Sequence, residues 1–422
     1  MNIRRNKKLL NNIEIVKNFG FCVGCGMCEL ACPSAAIKIL YNPRSGTLTP
    51  SVKRGKCTSC GFCLKVCYGW YLIGKLRMIS PEDFSPSRIM GEVYNVYLGY
   101  ATSKILRFLA SSGGIVTALL TWLLERGRVD GAIVTQSFSG RIPIAKTIVA
   151  ISKESLEKAM GSKYIPTLFS NAFKNIDFSK SYVVVGLPCQ LYALTELRKI
   201  DNKKYNTIKL TVGLICGGLP TFMGTFYVLK RLGIGRDAII KDLRHRGYGW
   251  PGYMSFSIND KKIFISYRYF ARFIFPWFEH KACRVCLFGF NPFADIVVGD
   301  AWIPSIVKKD TIGTSVIAAR NHHADSILKE CAKTETIRLI NVNSLYLLIS
   351  EANLLRKISN LPLRLHILQH LSKKYFFKPK FINYSSNMLK DYLRELSVTL
   401  IHELIDRTFM RFILSIVLNI IG

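Results

Sequence analysis

Three observations predict a chain in three parts: a small cysteine-rich α+β unit, a larger α/β domain, and a helical extension. First, residues 22–32 and 57–67 repeat the pattern Cys-x-x-Cys-x-x-Cys-x-x-x-Cys. Second, beyond residue 90, runs rich in Val and Ile alternate with helix-like stretches. The runs include "NVYLGYA", "GAIVTQS", "SYVVVGLP" and "IKLTVGLIC", and such alternation marks an α/β domain. Third, the pattern after 340 turns helical and amphipathic, with Pro362 and Pro379 as breaks. The expected boundaries are 15–78, 90–340 and 341–422.

The repeat is the first element to justify. "CVGCGMCELACP" carries Cys22, Cys25, Cys28 and Cys32, and "CTSCGFCLKVC" carries Cys57, Cys60, Cys63 and Cys67. Two-residue gaps let a tight loop wrap three thiolates round one face of an iron–sulfur cubane, while the fourth thiol reaches the neighbouring cluster. One 4Fe-4S cluster is then expected on Cys22, Cys25, Cys28 and Cys67. The other is expected on Cys57, Cys60, Cys63 and Cys32. Gly24, Gly26 and Gly61 supply the unusual backbone angles of such loops. Zinc takes Cys-x-x-Cys pairs far apart in sequence, not three thiols at this gap with a fourth three residues later. The second run departs in one place: Tyr68 follows Cys67 where Pro33 follows Cys32. The unit predicted is a dicluster ferredoxin-like domain, which moves electrons singly.

The α/β domain carries the next signals. Cys189 follows the run "VVVGLP", and Cys216 ends "VGLIC". Ligand sites in α/β sheets lie just outside the strand C-termini. With the pair Cys283 and Cys286 these make four thiols, enough for a third cluster, although isolated cysteines also serve as small buried residues. Cys331, in "SILKECAKTET", fits a helical surface and an ordinary thiol. "ASSGGIVTALL" sets Ser111, Ser112, Gly113 and Gly114 before an apolar helix. Free amides at that helix end would suit a phosphate; a serine N-cap with glycine beside it accounts for the stretch equally well. No Walker loop and no Rossmann glycine fingerprint occurs.

Composition bounds the partners. The 422 residues are 49% hydrophobic, enough for a large core, and carry a formal net charge of +32. That charge suits an acidic partner or a polyanionic small molecule, or reflects a generally basic composition. No arginine-rich arm, zinc finger or RNA-recognition signature is present, so no nucleic acid is expected. Thirteen cysteines, mostly at cluster spacing, and the lack of a secretory signal predict a reducing, cytoplasmic setting. No run of eighteen apolar residues predicts a membrane span.

The stretches "SSGGIVTALL", "GSKYIPT", "VVVGLPCQLYAL", "VGLICGG", "RHRGYGWPGY", "CRVCLFGFNPFADIVVGDAW" and "GTSVIAARN" occur in this order. Together they resemble the beta subunits of coenzyme F420-reducing hydrogenases and the related formate dehydrogenases. The resemblance covers most of the chain up to 335. It implies an α+β ferredoxin-like dicluster domain followed by an α/β flavin-binding domain, with FAD and a third 4Fe-4S cluster in the latter. The cluster falls on Cys189, Cys216, Cys283 and Cys286. FAD binding falls on Ser111, Ser112, Gly113 and Gly114, and on Ser162, Lys163 and Tyr164. Arg246 and Trp250 are implied as ring or phosphate contacts. Lys163 or Arg246 is expected to stabilise an anionic reduced flavin, and no catalytic acid or base is implied.

The resulting expectation is an iron–sulfur flavoprotein exchanging electrons between reduced coenzyme F420 and its clusters or a ferredoxin-like partner. The family also includes reductases of other substrates and members associated with surface polysaccharide synthesis. A non-catalytic electron-transfer subunit of a hydrogenase- or dehydrogenase-type complex is a further alternative. The tail from about 392 on is apolar over a wide helical face. It predicts docking on its own chain or, with Lys373, Lys374 and Lys378 nearby, on a partner or peripherally on a membrane.

Overall fold

The computed structural model describes residues 11–141, 144–235, 237–371 and 395–397. Apart from residues 395–397, the apolar tail expected to dock and its flanking lysines lie outside those residues. No helix among the described residues is long and apolar enough to cross a membrane.

In the cysteine-rich unit each run forms a loop and a one-turn helix, Met27–Leu30 and Phe62–Lys65. Gly26 and Gly61 precede these turns at φ 82° and 78°, in the left-handed region that L side chains avoid. Gly26 also has no room for a side chain, because an added Cβ would meet Ser170 of the larger domain. Strands β1 (Ile37–Asn42) and β2 (Thr47–Val52) pair antiparallel between the two runs. Helix Tyr68–Arg77 follows, with Leu72, Ile73 and Leu76 buried on one face.

The larger domain is built on nine strands: β3 (Asn95–Ala101), β4 (Gly131–Phe138), β5 (Ile144–Ala150), β6 (Thr167–Leu168), β7 (Tyr182–Gly186), β8 (Ile208–Leu214), β12 (Ile296–Asp300), β13 (Ser315–Ala319) and β14 (Ile337–Val342). Their order is β14-β3-β13-β12-β8-β7-β4-β5-β6. The centre, β12-β8-β7-β4, is parallel, and antiparallel strands flank it. The sheet is therefore mixed. Every residue of β7 is buried, as expected of a parallel strand covered on both faces.

Helices Ile115–Glu125 and His322–Lys333 cover one face. Burying Leu119, Leu120 and Leu123 there stabilises by about 1.5–3 kcal/mol each. Cys331 lies in this core, fully buried, and not on the surface that its helical pattern suggested. The residue sits with Ala324 and Leu328 on the inner face of a helix whose exposed positions include His322, His323 and Lys329. Helix Pro188–Ile200 and the cysteine-rich unit cover the opposite face and share one continuous core with it.

Two features depart from the sequence reading. A separate three-stranded sheet, β11-β10-β9 (Lys261–Ser266, Tyr253–Ile258, Lys241–Arg244), interrupts the α/β pattern and packs on helices Phe222–Arg231 and Tyr267–Trp277. The extension is also not a unit apart over its described helices, Leu345–Ser350, Ala352–Ser359 and Leu361–Leu371. Leu347, Leu354, Ile358, Leu361 and Leu365 join the same core as the cysteine-rich unit. Pro362 stands in the first turn of the last of these helices, where a missing N–H costs no hydrogen bond.

Candidate functional site

The thiols gather in three groups. Cys28 is buried beside Cys22, Cys25 and Cys67, whose charges oppose its ionisation after burial itself. Cys63 faces Cys60, Cys32 and Cys57. Cys189 lies with Cys283, Cys216 and Cys286, and it also feels Cys25 of the first group. The first two groups are those expected from interleaved runs, and the third joins the four thiols of the α/β domain. Cys60, in the second group, is exposed.

The donor sets suit clusters. Burial pushes Cys22 and Cys216 up to about 12. Four buried thiols that resist ionisation fit a group that brings its own positive charge. Backbone N–H groups point at the sulfurs, from Ala36 to Cys32 Sγ (3.2 Å) and from Leu219 to Cys283 Sγ (3.4 Å). Such bonds are among the factors that tune cluster potentials. No three His, Cys, Asp or Glu side chains among the described residues stand close enough to hold a single ion.

The third group rests on supports distant in sequence. Cys216 N–H donates to Gly289 O at 2.9 Å. Asn291 Nδ2 donates to Gly186 O and Leu214 O, both at 3.1 Å, and so ties the cysteine loop to the ends of β7 and β8. The extension adds more. Lys357 Nζ bonds both Gly217 O and the Glu279 carboxylate. Arg364 Nη1 donates to Arg284 O at 2.6 Å, between Cys283 and Cys286, and pairs with Glu395 through two 2.7 Å bonds. From the other side, the Tyr68 hydroxyl lies 2.8 Å from Cys286 Sγ. Burial and the neighbouring Cys286 hold that phenol well above the ordinary tyrosine range, so it keeps its proton.

A cavity of about 870 Å³ opens beside this group at the C-terminal edge of the parallel strands. Ligand pockets run to about 300–1,000 Å³. Its wall includes Gly186 at the end of β7 and Leu187 after it, Cys216 to Leu219 after β8, and Val298 to Asp300 of β12. Ser111, Ser112, Gly114, Ser162, Lys163 and Tyr164 also line it. Gly114 begins helix Ile115–Glu125 with no side-chain cap, and Ile115, Val116 and Thr117 face the cavity. The free amides of a first turn favour an anion. Ser111 Oγ accepts from Ser162 N–H (2.8 Å) and from Ser162 Oγ (2.9 Å), joining two wall segments. Burial, helped by the Arg244 charge, lowers Lys163 to about 7.

Three expected contacts fall elsewhere. Gly113 does not line the cavity: its N–H donates to Ser315 Oγ at 3.1 Å, and an added Cβ would strike Gly99 O and Ser315 N. Arg246 and Trp250 stand behind the wall. Arg246 makes two bonds to Asp300, of 2.7 and 2.8 Å, and donates to Pro251 O at 3.1 Å. Trp250 Nε1 donates to Asp300 Oδ1 at 2.7 Å. Burial opposes the Arg246 charge, but Asp300 more than offsets it and the pKa rises above its ordinary value. Both residues thus position Asp300, whose carboxylate occupies the donors that a phosphate would need.

Sequence reasoning passed over the residues that replace them on the wall. Trp302 lies between Trp250 (4.8 Å, 29°) and Tyr267 (5.9 Å, 23°) in a stacked series. Asp300 and Trp302 stand together at the end of an apolar strand, a signal available in "VVGDAW". Glu351, from the extension, also lines the cavity, and burial, then Asp300, raises its carboxyl well above the usual range. Nothing in its local sequence marks it. His245 stays neutral behind Tyr164: burial, then the Lys163 charge, lowers it to about 3. Its Nδ1 accepts from Tyr164 N–H at 3.2 Å, which leaves Nε2 to donate to Thr225 Oγ1 at 3.1 Å.

The fold, the cavity and the cysteine groups define an iron–sulfur α/β protein of one family. Residues 96–174 match the N-terminal model of the coenzyme F420 hydrogenase/dehydrogenase beta subunit, and residues 179–344 match its C-terminal model. The chain belongs to that family. Residues 21–68 match the 4Fe-4S dicluster domain. Among relatives, the coenzyme F420-dependent sulfite reductase of Methanocaldococcus jannaschii is 26% identical over 79% of this chain, which spans 49% of that protein. The coenzyme F420 hydrogenase subunit beta of Methanothermobacter thermautotrophicus is 24% identical over 58% of this chain and 83% of its own. A chain of the F420-reducing [NiFe] hydrogenase complex from Methanosarcina barkeri shares the fold with a TM-score of 0.51 and 20% identity, over 71% of this chain and 99% of that one.

Proposed function

We propose that the chain is an iron–sulfur flavoprotein oxidoreductase that passes electrons from reduced coenzyme F420, through FAD in the cavity, to three 4Fe-4S clusters and on to a redox partner. The observation that carries this reading is a continuous sequence of sites. Cys216 lines the cavity, its group reaches the first ferredoxin group through Cys189 and Cys25, and the second group ends at exposed Cys60. When bound, FAD supplies the exchange between a hydride donor and carriers that take one electron at a time.

The protein's share is placement. The first turn of helix Ile115–Glu125 and Lys163 receive the phosphates, while Trp302 and Tyr267 give the ring system an apolar, aromatic wall. Asp300, fixed by Arg246 and Trp250, presents an oriented acceptor to ring N–H groups. The flanking helices and the extension keep bulk water from the inner thiols. The names of the relatives favour coenzyme F420 as the donor, and a net charge of +32 suits its anionic tail. Exposed Cys60 also favours a second reading with the same chemistry, in which the chain delivers electrons within a larger assembly.

The test is anaerobic reduction of the purified holoprotein by reduced F420, NADH and NADPH, at low and high salt. Fast bleaching of the flavin by reduced F420 alone, slowed by salt, is expected. Equal or faster reduction by a nicotinamide would overturn the choice of donor.

A further inference from the structure

The two cysteine runs share their thiol spacing and differ in the residue after the fourth thiol. Pro33 follows Cys32 and is exposed. Tyr68 follows Cys67 and is 3% exposed, at the seam between the cysteine-rich unit and the sheet domain. Its hydroxyl is 2.8 Å from Cys286 Sγ. Its ring stands edge-on to Tyr192 (5.7 Å, 71°) and to Phe288 (6.1 Å, 81°). Tyr71, three residues further along the same helix, stacks on Tyr192 at 4.4 Å and 21°. The seam is thus aromatic, and among the described residues a polar contact to a cysteine of the sheet domain comes from the side chain adjoining Cys67.

We propose that Tyr68 is a positioning residue for electron transfer: its phenol donates to Cys286 Sγ, raises the potential of the cluster held by the sheet domain, and joins that cluster's ligand to Cys67 by one hydrogen bond and a short covalent path. This rests on the proposed function and names the residue that couples two of its sites.

The chemistry follows from the donor and acceptor types. A thiolate ligand can only accept, so the hydroxyl must donate. A donor at sulfur stabilises the more negative, reduced form of a cluster, and such hydrogen bonds are a recognised control on potential. Without the donor the sheet-domain cluster would sit lower. The step itself is a single electron leaving the cluster on Cys189, Cys216, Cys283 and Cys286 and arriving at the one on Cys22, Cys25, Cys28 and Cys67. One cluster is oxidised and the other reduced, no bond breaks, and Tyr68 keeps its proton. The aromatic packing holds the ring at a fixed angle, so the bond survives the charge change at either end.

The experiment compares wild type with Tyr68→Phe and Tyr71→Phe, each purified anaerobically with its clusters, by iron count and by a redox titration followed by electron paramagnetic resonance. Tyr68→Phe removes one oxygen and leaves the packing. The expected result is about twelve irons in all three proteins, one midpoint shifted to more negative potential in Tyr68→Phe, and no midpoint shifted in Tyr71→Phe. Unmoved midpoints in Tyr68→Phe at full iron would overturn the proposal, as would a shift of all three. Loss of about four irons in Tyr68→Phe would also overturn it, making the residue one of assembly. About eight irons in the wild type would instead remove the third cluster and with it the function on which the proposal rests, so the two failures are distinguishable.

Discussion

The ferredoxin unit and the sheet-domain cysteine group place thiols in opposite ways. In the first, eight thiols lie within two runs, and local loops with left-handed glycines do most of the gathering. In the second, four thiols come from three separate segments and are held by contacts remote in sequence: Asn291 to the strand ends, Lys357 and Arg364 from the extension, and Tyr68 from the ferredoxin unit. A local site survives damage elsewhere, whereas a convergent one depends on every element that reaches it. The cavity borders the convergent group.

The largest expected effect separates the two regions outright. Cys286→Ser should lower the iron count by about four and leave the ferredoxin pair intact, as read by metal analysis and the optical spectrum. An unchanged count would erase the distinction.

Asp300→Ala comes next. It leaves Arg246 buried without its counter-ion, and breaking such a pair costs about 3–5 kcal/mol. A lower Tm is expected together with loss of flavin, while the ferredoxin signals persist. Retained flavin at wild-type affinity would show that Asp300 does not shape the cavity.

Arg364→Ala tests the extension. It breaks the buried pair with Glu395 and removes a bond to the loop between Cys283 and Cys286, at a cost of about 3 kcal/mol. Iron release to a chelator should then quicken for one cluster of the three. Equal release from all three would mean that the extension does not buttress the third group in particular.

The smallest effect concerns Lys163. Burial lowers it to about 7 from the ordinary 10.5, so above pH 7 the free cavity holds it largely neutral. A bound phosphate favours its charged form and raises its pKa, so binding then takes up a proton. Flavin affinity should be greatest below about pH 7 and fall as pH rises above it, by at most about tenfold per unit. Lys163→Met should flatten that slope, and an unchanged slope in titration calorimetry would place the phosphate elsewhere.

The same contrast explains what could be read from the sequence. The eight thiols of the runs were legible because their spacing is itself the geometry. Strands β4, β7 and β8 were legible because buried parallel strands read as apolar runs, and β3, antiparallel to both its neighbours, because its run is rich in β-branched and aromatic residues. The support of the third group was not: an amphipathic pattern after 340 says that a face is buried, but not against which loop. Arg246 and Trp250 were placed near the cavity by their motif, yet their common partner Asp300 lies on a different element and takes their polar atoms. Gly113 was read as part of a phosphate loop, and close packing on Gly99 and Ser315 claimed it instead. Tyr68 was visible only as a departure from the repeat, and its partner Cys286 lies far along the chain.

The central claim is that electrons from the cavity reach the ferredoxin pair through the sheet-domain cysteine group. Rapid mixing of reduced F420 with wild type and with Cys286→Ser, followed by freeze-quench electron paramagnetic resonance, tests it most directly. The account predicts flavin bleaching in both proteins, with the ferredoxin-pair signals appearing promptly in the wild type and at least tenfold more slowly in the variant. Ferredoxin-pair signals rising at the wild-type rate in Cys286→Ser would contradict it.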